Sequence, residues 1–91
     1  MGQDKKQMKT NPRMKKIILG VVDNQLRAND PPETRSTLKR LVEEGYSEKD
    51  AKELIGCAVT SEIFDIMKNS EEFDLERYVA ALNELPKLPW Q

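Results

Sequence analysis

Few residues in this chain have the chemistry of an active site. The sequence contains no histidine and a single cysteine, Cys57, so the commonest general acid/base is missing and a zinc site would have no ligand set. Two polar residues, Gln25 and Glu62, fall where the helical spacing of apolar residues predicts a buried face. They are therefore the first candidates for a functional site.

A carboxylate that is buried without a partner is costly, so the environment of Glu62 needs an explanation. We expect Glu62 to pair with Gln25, Arg35 or Tyr78, and we expect the four residues to form one buried polar cluster. Our preferred interpretation is a hydrogen-bonded bridge that fixes the register of the first and third helices. The alternative, a catalytic carboxylate, would need a second reactive group and a pocket. The sequence predicts no catalytic residue, cofactor or metal ion.

Charge is distributed unevenly along the chain, although the net charge is only −1. Residues 1–16 carry six cations against Asp4 alone, which gives +5, and the remaining residues carry nine cations and fifteen acidic residues, which gives −6. A basic arm can contact nucleic acid or another anion. The candidate anion contacts are Lys5, Lys6, Lys9, Arg13, Lys15 and Lys16. The alternative is a solvated arm, and the arm has no aromatic residue that could stack on a base.

Apolar periodicity predicts an all-α fold, a compact bundle of four helices over about residues 12–28, 32–44, 48–69 and 75–85. We expect residues 1–10 to form a flexible basic arm, 11–86 a single helical domain and 87–91 a tail. Asn11 and Pro12 start the first helix, and its stripe is Met14, Ile17, Ile18, Val21, Val22 and Leu26. The later stripes are Leu38, Leu41 and Val42, then Ala51, Leu54, Ile55, Ala58, Val59, Ile63, Ile66 and Met67, then Leu75, Tyr78, Val79, Leu82 and Leu85.

Local signals indicate where each helix begins and ends. Asn29 is suited to end the first helix and Gly45 the second in the left-handed conformation, and two prolines place the next start at Pro32. Ser47 and Asp74 are predicted to cap the third and fourth helices. We also expect Phe73 to pack on Tyr78 across the last cap, and the small residues at 56–58 to permit a close helix crossing.

The pattern NP…VVDNQL…NDPPETR…EGYS…Y over about residues 11–85 resembles a family of small helical domains from bacteria and archaea that have no established activity. The resemblance implies the same fold and leaves the function open. Members of that family carry paired histidines, at positions that correspond here to Lys15 and Leu19, and further histidines near Lys49, Asp50 and Glu53. Because this chain has no histidine, the resemblance implies no metal or acid/base site here.

The sequence favours a non-enzymatic module that binds another protein or itself, with Leu19, Leu88 and Trp90 as candidate contacts. The first alternative is a nucleic-acid-binding protein that uses the basic arm, whose affinity would fall steeply with salt. The second is an enzyme that depends on Glu62. We expect a cytoplasmic protein, because one cysteine forms no internal disulfide and no apolar run approaches the roughly 18 residues of a membrane span.

Overall fold

The computed structural model describes residues 12–91. Within this range the chain forms four helices, α1 Pro12–Ala28, α2 Pro32–Glu43, α3 Glu48–Asn69 and α4 Leu75–Glu84, and no strand. The predicted all-α four-helix fold is confirmed. No helix in the described range is long and apolar enough to cross a membrane. The predicted arm at 1–10 and the cap at Asn11 lie outside the described residues.

The turn between α1 and α2 forms as the sequence predicts. Asn29 has a left-handed backbone with φ 53°, and its N–H donates to the carbonyl of Leu26 at 3.2 Å. The N–H of Asp30 donates to the backbone carbonyl of Gln25 at 3.0 Å, so the turn folds back on the end of α1. Pro31 is extended and α2 begins at Pro32, where a missing N–H costs no helical hydrogen bond.

The predicted ends of α2, α3 and α4 are also confirmed. Gly45 ends α2 with φ 112°, a backbone conformation that residues other than glycine rarely adopt. The hydroxyl of Ser47 accepts the N–H of Asp50 at 3.0 Å at the start of α3. A carboxylate oxygen of Asp74 accepts the N–H of Arg77 at 3.1 Å in the same way at the start of α4.

Helix α3 lies at the centre of the fold, because it contacts each of the other three helices. Its residue Gly56 allows α1 to approach closely, since a Cβ at this position would lie 3.0 Å from Cγ2 of Ile18. This is the close crossing that the small residues predict. The core consists of Ile18, Val22, Leu26, Leu41, Ala51, Ile55, Ala58, Val59, Tyr78, Leu82 and Leu85.

The predicted stripes were too wide. Several members lie at the edges of their stripes and are exposed, namely Met14, Ile17, Val42, Met67 and Leu75. With four helices over residues 12–91, each helix packs against few others, so part of its surface stays in contact with solvent. The prediction also missed two threonines of α2, Thr34 and Thr37, which are buried in the interior.

The glycines give a direct test of the helix assignments. A Cβ at Gly20, inside α1, would have no atom of another element within 4 Å, so Gly20→Ala should raise the free energy of unfolding by about 0.5–1 kcal/mol through helix propensity. Gly45→Ala should lower it by about 1 kcal/mol, because alanine is strained at φ 112°. Urea unfolding of both variants measures the two changes. A destabilising Gly20→Ala would contradict the position of α1.

Candidate functional site

The structure divides the predicted cluster of four polar residues into separate groups. Gln25 and Tyr78 lie together, whereas Glu62 is bound elsewhere to Arg77, and the expected pairing of Glu62 with Gln25, Arg35 or Tyr78 is therefore corrected. The physical reason lies in α4. Arg77 and Tyr78 are consecutive, and consecutive helical side chains point about 100° apart, so one faces α3 and the other faces α1 and α2.

The first group joins three helices through the side chain of Gln25. Its Oε1 atom accepts hydrogen bonds from the Thr34 hydroxyl at 2.7 Å and from the Tyr78 hydroxyl at 2.8 Å. Thr34 is fully buried and Tyr78 is 1% exposed. Burial raises the pKa of Tyr78, against the opposing effect of its hydrogen bonds with Thr34 and Gln25. The phenol therefore stays protonated and serves as a hydrogen-bond donor.

Arg35, the remaining member of the predicted cluster, lies on the surface of α2. Its guanidinium donates to the backbone carbonyl of Leu26, in the last turn of α1. Arg40, five residues further along α2, does the same for the carbonyl of Leu82 in α4 at 3.0 Å. Both arginines thus give a second donor to carbonyls in the last turn of a helix, which already accept a backbone N–H from Asn29 and from Leu85. Their role is structural.

The second group is an ion pair between α3 and α4 in which the carboxylate is buried and the guanidinium is partly exposed. Glu62, which is 4% exposed, accepts two hydrogen bonds from Arg77, from Nε at 3.0 Å and from Nη2 at 2.7 Å. The backbone N–H of Asp74 donates to the same carboxylate at 3.0 Å. The arginine also binds Glu71 at 2.9 Å and lies 3.6 Å from Asp65. Sequence analysis missed Arg77, although the need of a buried carboxylate for a cation was the signal that could have found it.

This ion pair keeps Glu62 ionised. The hydrogen bonds from Arg77 lower the pKa of Glu62, and the N–H of Asp74 acts in the same direction, while burial opposes them. The surrounding carboxylates in turn raise the pKa of Arg77. A general acid or base must exchange a proton near the working pH. A carboxylate that is held ionised by three donors is a poor candidate for that role.

The remaining candidates are placed as follows. Of the six proposed anion contacts, Lys5, Lys6 and Lys9 lie outside the described residues, and Arg13 and Lys16 are exposed on α1. Lys15 is bound to Glu53 of α3 at 2.9 Å.

Cys57 is half-buried, and burial raises the pKa of its thiol, as does the charge of Glu53. A raised pKa keeps the thiol protonated and therefore weakly nucleophilic. Over residues 12–91, no group of three or more acidic, cysteine or histidine side chains could hold a metal ion.

A shallow, open cleft with both apolar and polar lining residues lies between the C-terminal half of α3 and the residues that follow α4. Its volume is about 670 Å³, and its lining consists of Ser61, Phe64, Asp65, Met67, Lys68, Pro89 and Trp90. Three large apolar side chains are exposed here: Met67 is 72%, Phe64 60% and Trp90 50% exposed. Of the contacts that the sequence suggested, Trp90 lines this cleft, whereas Leu88 packs on the core and Leu19 is half-buried.

Comparison of the chain with models of protein families, with curated proteins and with solved structures finds no match. The family resemblance drawn from the sequence pattern therefore stays a prediction.

Replacing Glu62 tests whether its carboxylate is a structural group. Glu62→Gln should lower the free energy of unfolding near neutral pH by about 1–3 kcal/mol, because a neutral amide cannot accept both hydrogen bonds of the guanidinium. Chemical denaturation across a pH series measures this loss. The exposed Glu72, replaced by glutamine, is the matched control and should change stability little.

The loss should also depend on pH in a defined direction. The pKa of Glu62 in the folded state lies below its ordinary value of 4.5. The contribution of the ionised carboxylate to the free energy of unfolding is therefore complete above pH 4.5 and is lost as the pH falls through the folded-state pKa. The difference in stability between the wild type and Glu62→Gln should therefore shrink in acid. A difference that stays constant from pH 7 to strong acid would contradict the ion pair.

Proposed function

We propose that this protein is a non-enzymatic protein-interaction module whose contact surface is the cleft of Phe64, Met67 and Trp90. The observation that carries the proposal is the exposure of these three large side chains side by side. Contiguous exposed apolar groups are characteristic of interaction surfaces, and aromatic residues and methionine are enriched in them. A tryptophan at such a surface is a common source of binding energy.

The polar residues of the chain support the same proposal. Gln25, Glu62 and Tyr78 were the candidates for chemistry, and each is engaged in hydrogen bonds that join helices. No side-chain polar atom buried within the described residues lacks a partner. An enzyme that depends on Glu62 would need a group with free lone pairs beside a pocket, and the cleft is lined by other residues.

Nucleic-acid binding is the second candidate, and the charge of +5 over residues 1–16 favours it. Two observations make it the weaker one. The arm has no aromatic side chain to stack on a base, and Lys15 is already bound to Glu53.

Site-specific photocrosslinking tests the proposed surface. A photoreactive amino acid in place of Trp90 should form cross-linked species in cells that make the protein, because the cleft is occupied there. The same group in place of Val42, an exposed apolar residue of α2 outside the cleft, is the matched control. If position 90 cross-links no more than position 42, the cleft is not an interaction surface and the proposal fails.

A further inference from the structure

We infer that the occupant of the cleft is the same cleft of a second copy of this chain, in a dimer with two-fold symmetry. This inference rests on the proposed function and names its partner.

The shape of the surface suits a contact between two copies. A two-fold interface brings the same patch of both copies together, so the patch must present both a projection and a recess. Phe64 and Met67 lie one turn apart on α3, and both project into solvent. The recess is the open cleft that these two side chains line together with Pro89 and Trp90. The projecting side chains of one copy can thus enter the recess of the other.

The charges of the cleft are complementary to those of a second copy. The cleft is lined by one acidic residue, Asp65, and one basic residue, Lys68, three positions apart on α3. When two copies of this segment meet antiparallel about a two-fold axis, each Asp65 comes opposite Lys68 of the second copy. Lys68 forms no ion pair with another described residue and is available for this contact. Like charges would oppose each other if the patch carried one sign only.

Other exposed apolar side chains are less suited to a contact between two copies. Phe73 and Leu75 are flanked by acidic residues, namely Glu71, Glu72, Asp74 and Glu76. Met14 and Ile17 lie next to Lys16, a cation that forms no ion pair with another described residue, and next to Lys15, which is bound to Glu53. Two copies that met at either place would bring like charges together. The cleft combines exposed apolar area with balanced charge, which a contact between two acidic bodies requires.

Sedimentation equilibrium of the full chain tests this inference. The wild type should show a reversible monomer–dimer equilibrium, and Met67→Lys should weaken the dimer at least tenfold because it buries a charge in the interface. Val42→Lys is the matched control, since both residues are exposed in the last turn of a helix, and it should leave the dimer unchanged. A wild type that remains monomeric up to about 1 mM, or an equal effect of the two variants, would overturn the inference.

Charge exchange tests the two-fold arrangement itself. Asp65→Lys gives a cleft with two cations and Lys68→Asp gives one with two acidic groups, so each variant alone should be monomeric. An equimolar mixture of the two variants should form a heterodimer, because every cation of one variant then faces an acidic group of the other. A mixture that remains monomeric, with both variants folded by circular dichroism, would overturn the arrangement. Asp65 lies near Arg77, and if Asp65→Lys does not fold for this reason, the comparison of Met67→Lys with Val42→Lys in sedimentation equilibrium decides the inference.

The two proposals can fail separately. Cross-linking from position 90 to a chain of different mass, with a monomeric wild type, would overturn the dimer and support the interaction module. Absence of cross-linking at position 90 together with a monomeric wild type would overturn both. Cross-linking at position 90 between two copies of this chain supports both.

Discussion

The side-chain carbonyl of Gln25, near the end of α1, receives one hydrogen bond from Thr34 of α2 and another from Tyr78 of α4. Helices α1 and α4 are the pair with the least direct contact, because both pack on α3 instead. The Gln25–Tyr78 hydrogen bond therefore joins two elements that apolar packing leaves apart. A shared acceptor also fixes their angle, since both hydroxyls must approach one oxygen along its lone pairs.

The same constraint governs the other polar residues. A domain of this size buries a modest core, so the ends of its helices need polar attachments as well as apolar contacts. Arg35 and Arg40 bind the last turns of α1 and α4, and the Arg77–Glu62 pair holds the start of α4 against α3. The side chains of these residues form hydrogen bonds or ion pairs between helices of the fold. The exposed side chains around the cleft have no such internal role, which is why the proposed function is placed there.

Helix boundaries and caps could be predicted from the sequence because they depend on local chemistry. Ser47, Asp74, Asn29 and Gly45 each act through residues within a few positions of their own. The polar pairs could not be predicted, because they depend on how far each helix rotates about its axis. Arg77 and Tyr78 belong to different clusters for this reason, and although the stripe of α4 includes only Tyr78, it does not show which helix either side chain faces. The cleft could not be predicted either, since Phe64 and Trp90, which are 26 positions apart, line it together only in the folded chain.

A double-mutant cycle between Thr34 and Tyr78 tests the shared acceptor most directly. Thr34→Val and Tyr78→Phe each leave the Gln25 oxygen with one hydroxyl donor, whereas the double variant leaves it with none. A buried oxygen that loses its last donor destabilises the fold more than one that keeps a donor. The double variant should therefore lose more free energy of unfolding than the sum of the two single losses, by at least about 0.5 kcal/mol. Strictly additive losses would show that the two hydroxyls do not share this oxygen, and would contradict the account.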